Sequence, residues 1–528
     1  MIDIRQKKKL RRFGAACLAF AFVAPAYPCP QEKPPATITL DDCIARAVRQ
    51  NLGVAVQVYS SELADLALSR SQEKFLPSLS FDSGHQSQNS ASYTWIDAAD
   101  QVSTKYSNYS LGLSQTIPFG GTFSMSLGAY KNMTNARFQT INPRYGSTLT
   151  FTFSQPLLKD FGYRTSLKEV IVSRNNRDIA DNDMKNILLE TVHSVESAYF
   201  ELVYLTEVLK VQRQSLTLAE DLLEKSRKEA TIGTLAPKEV VSAEAEVASR
   251  QADILQAQMQ VKDAGDVLRG LINQPLNEET GELVPADIPS LTKRDITLED
   301  ALKIGLKNRP DLQSSALAIK NREIEYGYAK NQTLPALSLN ASYWSPGISG
   351  NRILYQDNNP LTGLILGVAP GGPSLAMRDA LNFKYNNWSV SVSLDVPMNT
   401  IFSRAARAQA RVSLNQEAAR MKQTEQKAYL EIRAAVRAVQ TNYERVNARR
   451  TATRLAEQKL AAEESKLKYG QSTNFVVLNY QRDLASARTS ELRALIDYTL
   501  SQGQLDKALG ISLEKRNIKL TESAEVER

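Results

Sequence analysis

The sequence predicts a membrane α+β fold in which one set of helices and strands occurs twice along a chain of 528 residues. Three observations predict it. Residues 38–81 reappear as residues 296–339 without a gap, the strand-like segments alternate apolar with small polar residues, and two stretches, 164–231 and 404–468, lack both Gly and Pro. A single domain rarely exceeds about 250–300 residues, so a chain of this length is expected to be elongated, repeated or divided.

Composition excludes several kinds of site. With 3 Cys and 2 His (His85 and His193), a disulfide scaffold, a zinc cluster and a His-based catalytic triad are not expected. No metal or cofactor is predicted. Residues 1–26 carry six basic side chains and one acid, a net +5 of the chain's +7, so the remainder is close to neutral. A basic groove for nucleic acid is therefore not predicted.

The N-terminus has the three parts of an export signal. A basic run ends at Arg12, an apolar stretch covers 13–23, and small residues end at Ala26. We predict a signal peptide over 1–26. An anchor helix is the first alternative, but it needs roughly 20 apolar residues. Lipid attachment at Cys29 is the second, but the residues before it are not the small ones typical of lipoproteins.

The repeat has matching helix signals in its two copies. Each copy begins with Thr-x-x-Asp, at Thr39 and at Thr297, which is typical of a helix capping box. Each opening helix, predicted over 40–75 and 298–333, ends before a Pro. A later block repeats at an offset of 240 residues, with Arg164, Asp266 and Gly270 matching Arg404, Asp506 and Gly510. The chain therefore contains two related units.

Six segments alternate apolar residues with small polar ones, the period-two pattern of a strand with one apolar and one polar face. Their polar faces have hardly a charge, which favours strands between lipid and a lumen over a soluble sheet. Segment 345–386 is predicted to be an external loop, and hairpin 106–133 to be an additional part of the barrel wall. The six segments are 78–88, 106–117, 121–133, 147–155, 336–344 and 387–396.

Two long helical hairpins follow the strands. As a helix, the stretch 164–231 is roughly 100 Å long, and two helices of about 36 residues can stack end to end along it. A soluble coiled-coil rod or a membrane-bending scaffold is the alternative, but it explains neither the export signal nor the strands. The predicted first repeat covers 27–295, with barrel strands about 78–155 and a helical hairpin at 164–272. The predicted second repeat covers 296–513, with barrel strands about 336–396 and a helical hairpin at 404–509. A C-terminal tail is predicted over 514–528.

The order of signal, repeat, strands, long helices and hairpin tips resembles the TolC-like outer-membrane efflux protein family (outer membrane factors) over about 38–513. The tips that carry the resemblance read ATIGTLAPKEVVSAEAEV (230–247) and KYGQSTNFVVLNYQRDLASAR (468–488). The resemblance implies a homotrimer in which a β-barrel in outer-membrane lipid continues as a long periplasmic α-helical barrel. It also implies a periplasmic adaptor (membrane fusion) protein and an inner-membrane pump as partners in a Gram-negative-type bacterium.

A trimer also agrees with the strand count. Open strand edges in lipid leave unpaired backbone amides, so a barrel must close. Six strands from one chain are too few to enclose an open pore. We predict six strands per chain and eighteen per trimer, which is more per chain than family members usually contribute.

The resemblance assigns site residues at the two tips. It implies that the turns contact the adaptor, although a glycine cap with no further role is the alternative. At the aperture of the closed end, family members carry an acidic ring whose positions are occupied here by Val476 and Asn479. We predict weak cation selectivity and closure by packing that includes Leu478, unless these side chains face a helix partner instead. The tip residues are Ile232, Gly233, Thr234, Leu235, Tyr469, Gly470, Gln471 and Ser472, and the aperture residues are Glu239, Phe475, Val476 and Asn479.

The function implied by the resemblance is that of an outer-membrane exit duct for a tripartite efflux or type I secretion system. An enzyme is not predicted, because the chain has no GxSxG, P-loop or HExxH motif and its paired acids, Glu244 and Glu246, fit an ordinary helix surface. A structural or adhesive protein of the cell envelope that forms no channel is the alternative.

Overall fold

A computed structural model describes residues 36–92, 97, 99–233, 236–274, 282–287, 289–396, 398 and 401–518. The predicted signal peptide lies outside the described residues. The first repeat contains β1 (Ala36–Ile38), α1 (Leu40–Gln50), α2 (Leu52–Glu73), β2 (Ser78–Ala91), β3 (Gln101–Thr116), β4 (Thr122–Thr134), β5 (Ile141–Pro156), α3 (Tyr163–Ser166), α4 (Lys168–Thr231), α5 (Pro237–Leu271) and β6 (Leu283–Pro285).

The second repeat has the same order of long elements. It contains α6 (Leu298–Asn308), α7 (Pro310–Asn331), β7 (Ala336–Tyr355), β8 (Ile365–Ala369), α8 (Pro373–Leu381), β9 (Asn387–Asp395), α9 (Ile401–Lys468), α10 (Asn474–Leu509) and α11 (Ser512–Lys515). The two long helices, α4 and α9, lie where the Gly- and Pro-free stretches 164–231 and 404–468 predict them.

Each opening helix is broken once, so the prediction of single helices over 40–75 and 298–333 was wrong. The breaks lie at Asn51 and Arg309, which are equivalent positions of the repeat and share an extended backbone. The Asn51 side chain accepts hydrogen bonds from the amides of Gly53 (2.8 Å) and Val54 (3.3 Å) and so caps α2. Pro310, which lacks an N–H, begins α7 where no intrahelical donor is needed.

The shorter helices stack end to end beside the long ones. The Asn51 side-chain amide donates to the carbonyl of Leu271, 2.8 Å away, so the end of α5 meets the start of α2. In the second repeat, Arg309 donates to the carbonyl of Ala508 at 3.5 Å and joins α10 to α7 in the same way. Helices α2 and α5 both pack along α4, and α7 and α10 both pack along α9. The predicted end-to-end stacking is confirmed.

The two repeats also bury residues at equivalent positions. Cys43 and Ala301, at the 258-residue offset, are both fully buried. In the long helices the buried residues match at an offset of 240: Leu188, Val192, Val195 and Tyr199 correspond to Ala428, Ile432, Ala435 and Val439. The capping hydroxyls of Thr39 and Thr297 lie 2.8 and 2.7 Å from their Asp partners. The two copies therefore fold alike.

The C-terminal segment closes the first-repeat core. After α11, Arg516 donates to Glu196 of α4 at 2.9 Å and to Asp41 of α1 at 2.8 Å. Burial raises the pKa of Glu196, and the nearby Arg516 acts in the opposite direction. The start of the predicted tail is thus packed against the helices, and residues 519–528 lie outside the described residues.

One antiparallel sheet contains all six predicted strands. Its order is β2-β3-β4-β5-β7, and β9 and β8 pair with successive parts of β7. Hairpin 106–133, which we predicted as an addition, lies inside this sheet as β3 and β4. Strand β8 was not predicted, and the parallel pair β1–β6 forms a separate small sheet.

The register puts most apolar residues of the strands on one face, whereas Trp344 and Ile348 of β7 lie on the other. Phe81 pairs with Leu111, Leu111 with Leu127, and Leu127 with Leu149. The neighbouring row holds only polar and small residues, Asp82, Ser110, Gly128 and Thr148. Because paired residues project from the same side of a sheet, the alternation in each strand adds up to one continuous apolar face and one polar face.

The prediction that 345–386 forms an external loop was wrong. Strand β7 continues to Tyr355, and helix α8 packs against β5 and β7. Phe383, just after α8, lies near Phe151 and Tyr343, with ring centroids 6.4 and 5.8 Å apart. Helix α8 therefore covers the part of the apolar face around Ser147 and Gly347, where these two small residues leave room for it.

A substitution at Gly347 tests how closely α8 packs against the sheet. A Cβ there would overlap the carbonyl oxygen of Ala376 and lie 2.9 Å from the amide of Ala380, and neither backbone group can move independently of the helix. We expect Gly347→Ala to destabilise this contact by about 1–3 kcal/mol and to increase tryptic cleavage at Arg378. Gly367→Ala meets open space and is the matched control. Unchanged cleavage in Gly347→Ala would show that α8 is not held in this position.

Candidate functional site

The turns of the two helical hairpins lie together at one end of the helices. A shared apolar cluster lies beneath them, to which α4 contributes Leu222, α9 Leu460, and α10 Val477 and Leu478. Val247 of α5 packs against the same cluster. The two sequence stretches that we predicted to form tips are thus joined by packing within one chain.

Both turns use a glycine with a positive φ. Gly233 has φ 79° and Gly470 has φ 72°, a region that L side chains rarely adopt. Their amides donate to Ala230 and Leu467, each at 3.0 Å, which ends the helices. A Cβ at either glycine would meet no heavy atom of the described residues within 4 Å. The glycines are therefore required by backbone conformation and not by crowding from these residues.

The apolar side chains beside these glycines face outward. Ile232 is 76% exposed and Tyr469 is 77% exposed. Of the other predicted tip residues, Thr234 and Leu235 lie outside the described residues. Large exposed apolar groups in matching turns form a surface suited to binding another protein.

Ser472 is engaged within its own turn. Its hydroxyl donates to Glu463 of α9 at 2.6 Å, and Lys466 donates to the same carboxylate at 3.1 Å. The Ser472 and Lys466 hydrogen bonds lower the pKa of Glu463. The amide of Gln471 donates to the carbonyl of Lys466 at 2.9 Å. The second turn is therefore rigidly tied to α9, and Gln471 presents its side chain outward.

The predicted aperture residues occupy the first turns of α5 and α10. Phe475 is 56% exposed, and Val476, Asn479 and Glu239 are half-buried. Leu478, to which we assigned a part in closing the aperture, is 4% exposed and packs inside the apolar cluster. That assignment was wrong, because the helical turn points Leu478 at α4 and α9 of its own chain.

Two polar contacts join the hairpins across the cluster. The side-chain amide of Asn474 donates to the hydroxyl of Ser226 at 2.8 Å, and both groups are buried. Arg482 of α10 forms an ion pair with Glu246 of α5. These contacts form a structural lock between the two tips, in which Asn474, Ser226 and Glu246 are largely buried and Arg482 is exposed.

Glu246 is the residue that sequence reasoning missed. Its side chain is 13% exposed and also pairs with Arg250 at 3.0 Å, whose side chain is 5% exposed. Arg250 donates in addition to the carbonyl of Ser215 at 3.2 Å. We grouped Glu246 with Glu244 as helix surface, which is correct only for Glu244. The sequence signal was Arg250 four residues later, but only the packing shows that this pair is buried.

Among the described residues, no three His, Cys, Asp or Glu side chains are placed to hold a metal ion. None of the helices described is both long and apolar enough to cross a membrane.

Comparison with known sequences decides the family. The profile described as outer membrane efflux protein matches residues 122–274 and 302–511, which is more than half of the chain. The chain belongs to the outer membrane efflux protein family. The match spans both repeats, including the sheet from β4 onward and both hairpins. The resemblance seen in the sequence is confirmed, and the family places the protein in the outer membrane.

Individual relatives are distant. The chain is 23% identical over 212 residues to the toxin and drug export protein A of Aggregatibacter actinomycetemcomitans, and this match covers 40% of the chain and 43% of that relative. The CmeC outer membrane channel of Campylobacter jejuni has the same fold, with a TM-score of 0.64, 15% identity and coverage of 89% of this chain and 85% of CmeC. VceC of Vibrio cholerae gives a TM-score of 0.62, 16% identity and coverage of 89% and 96%.

The buried lock can be separated from a surface ion pair two residues away. Glu246→Ala would leave Arg250 buried without its carboxylate, and we expect a loss of about 3 kcal/mol in stability. Glu244→Ala removes only an exposed pair with Arg227, so a change below about 1 kcal/mol is expected. Hydrogen exchange of the backbone amides at the tips measures the loss of stability in each variant. Equal protection in the two variants would contradict the lock.

Proposed function

We propose that this family member is the outer-membrane exit duct of a tripartite efflux or type I secretion system. The main support for this proposal is that the chain has two structurally different ends. A sheet with one continuous apolar face lies at one end of the long helices, and two joined hairpin tips lie at the other. An envelope-spanning duct needs a lipid-facing wall and a docking end separated by the depth of the periplasm. A helix of 64 residues, the length of α4, spans roughly 95 Å.

The sheet is suited to a wall in lipid. On β9, Trp388 is 73% and Val392 is 64% exposed, and on β2, Leu79 is 72% exposed. These side chains belong to the apolar face, which would contact outer-membrane lipid, while the opposite face of Ser, Thr and Gly would line a lumen. Such exposure would be costly in a soluble monomer.

Open sheet edges favour closure by further copies. Within the described chain, β2 pairs with β3 alone and β9 with β7 alone. Unpaired edges in lipid leave backbone donors and acceptors without partners. Three copies that join β2 to β9 would form a closed barrel of eighteen strands, with β8 outside that count. The proposed assembly is therefore a homotrimer whose helices form the periplasmic barrel.

The exposed turns are the proposed docking surface for a periplasmic adaptor, which links the duct to an inner-membrane pump. Residues Ile232, Gly233, Thr234 and Leu235 form one docking turn, and Tyr469, Gly470, Gln471 and Ser472 form the other. An adaptor with apolar helical tips would bury Ile232 and Tyr469, which have no cover in the described chain.

Bulky substitutions test the docking surface. We expect Thr234→Trp with Ser472→Trp to reduce adaptor crosslinking in cells by about tenfold and to abolish export, since even 1.4 kcal/mol corresponds to a factor of ten. Ser465→Trp is the control, because Ser465 is exposed on α9, seven residues before Ser472. Crosslinking that persists in the tip variant, with outer-membrane levels equal to those of the control, would exclude docking at these turns.

The aperture is proposed to be closed by Phe475, Val476, Asn479 and Glu239 brought together by threefold symmetry. Of these positions only Glu239 is acidic, so the ring attracts cations weakly. In planar bilayers we expect large, stable conductance steps from the purified protein. Val476→Asp with Asn479→Asp should raise cation preference about severalfold and introduce block by divalent cations.

The control for selectivity carries the same added charge elsewhere. Gln471→Asp with Asn447→Asp places two acids on exposed positions outside the ring. Selectivity that is equal in the ring and control variants would disprove the assignment of the aperture. Absence of any conductance from folded oligomers would instead favour an envelope protein without a channel.

A further inference from the structure

Strand β9 marks where the apolar band of the sheet ends. Its exposed apolar residues begin at Trp388 and end at Val396, and β9 has nine residues, which agrees with the roughly 9–11 that a tilted strand needs to cross a membrane. Asn386 and Asn387 precede Trp388. Aromatic side chains are enriched where lipid meets water. Trp388, at the end of β9 that points away from the long helices, therefore marks the external boundary of the band.

Helix α8 lies at this boundary. Phe383, which follows the helix, packs against Tyr343, and Tyr343 pairs with Trp388. Just before the helix, a Cβ at Gly371 would overlap the carbonyl oxygen of Gly350, which lies further out along β7. Helix α8 therefore extends from the level of Trp388 outward, and it lies on the face of the sheet that carries the lipid-facing side chains.

The side of α8 that faces away from the sheet is basic and apolar. Ala376 and Ala380 are buried against β7. Helical periodicity puts Ser374, Arg378 and Leu381 about half a turn away from them. Arg378 is exposed and forms no ion pair with a described residue, and Leu381 is 46% exposed. A cation and a large apolar side chain thus lie next to each other on the open side.

The turn after α8 adds a second cation. Lys384 pairs with Asp379 at 2.9 Å and lies 5.4 Å from the ring centre of Tyr385. The side chain of Asp379, which is the one acid of α8, is 19% exposed, whereas that of Lys384 is 53% exposed. The carboxylate is therefore mostly covered, and the surface presents two cations.

The strands become basic at the same level. Lys105 and Lys131 are separated from Leu111 and Leu127 by even numbers of residues, so they lie on the apolar face, beyond its apolar band. Lys131 lies 6.0 Å from the ring centre of Tyr145. An element that is apolar on one side of such a boundary and basic on the other is suited to the headgroup layer of an anionic membrane.

We propose that the α8 surface, formed by Arg378, Leu381, Lys384 and Tyr385, binds a phosphorylated lipid of the outer leaflet. Arg378 and Lys384 contact the headgroup phosphates, because guanidinium and ammonium donors form strong charge-assisted hydrogen bonds with phosphate oxygens. Leu381 and Tyr385 contact the start of the acyl chains, which a free phosphate ion would leave uncovered. The inference rests on the lipid-facing wall of the proposed function and adds to it a site of defined headgroup chemistry.

Lipid titration tests the site. Native mass spectrometry of the detergent-purified protein measures the binding of lipid A with two phosphates and of the same lipid with both phosphates removed. We expect the phosphorylated form to bind about tenfold more tightly. Equal affinities would overturn the proposal. Inorganic phosphate that displaces lipid A at an equal concentration would show a site for a free anion and would also overturn it.

Charge removal locates the phosphates. Arg378→Gln with Lys384→Gln should lower the affinity for lipid A about tenfold, because two cations are removed from the headgroup layer. The control is Arg144→Gln with Arg352→Gln, which removes two exposed cations from the same end of the sheet. Arg144 lies over the ring of Tyr130 on the polar face, and Arg352 pairs beside it on β7. The same loss in both double variants would overturn the assignment to α8.

An added charge tests the site without removing any contact. Ser374 is exposed one turn before Arg378, so Ser374→Arg places a further cation on the same side of α8. We expect the affinity for lipid A to rise about severalfold. An unchanged affinity would contradict a phosphate position beside α8.

Fluorescence of Trp388 separates this site from the proposed function. The chain has three Trp, so the measurement uses a Trp95→Phe, Trp344→Phe background in vesicles of phosphatidylcholine with brominated acyl chains. We expect strong quenching. Quenching together with equal binding of the two forms of lipid A would overturn the α8 surface and leave the lipid-facing wall intact. Fluorescence that is not quenched would overturn the wall itself.

Discussion

Two junctions between stacked helices hold the long hairpins in register. Asn51 caps α2 and reaches the carbonyl of Leu271 at the end of α5, and Arg309 makes the equivalent contact with Ala508. Each long helix needs an apolar partner along its whole length, because most helical stability in proteins comes from tertiary packing. Two shorter helices supply this only if their ends meet. Asn51 satisfies backbone groups at both helix ends of its break, whereas Arg309 satisfies only a carbonyl at the end of α10.

The positions of both functional ends follow from these junctions. From the junction, α2 and α7 lead directly to the sheet, and α5 and α10 lead to the tips. Ion pairs centred on the two largely buried carboxylates, Glu246 and Glu196, hold the tips and the middle of the helices. Glu246 with Arg250 and Arg482 holds the tips together, and Arg516 ties the C-terminal segment to Asp41 and Glu196. Such pairs add orientation because a buried charge tolerates few alternative partners.

The continuous apolar face of the sheet depends on the period-two alternation in each strand and on the register between strands. Each strand carries one apolar side, but the face becomes continuous only when the pairing is in register, as in the row from Phe81 to Leu149. A shift by one residue would turn a strand's apolar set to the polar side. The small residues Ser147 and Gly347 interrupt the bulky part of this face and provide the seat for α8.

The repeat, the long helices, the six main strands and the glycine turns could be predicted from the sequence, because periodicity, caps and the absence of Gly and Pro are local properties. Burial of Glu246, the packing of Leu478 and the position of α8 could not be predicted, since each depends on a segment distant in the chain. These three features depend on the tertiary structure, because an ion pair or an apolar side chain is buried only when another helix or strand lies over it. Pro310 was a local signal for the break between α6 and α7 that the prediction of one helix over 298–333 overlooked, and the hydrogen bond from Asn51 to Leu271 depends on the fold.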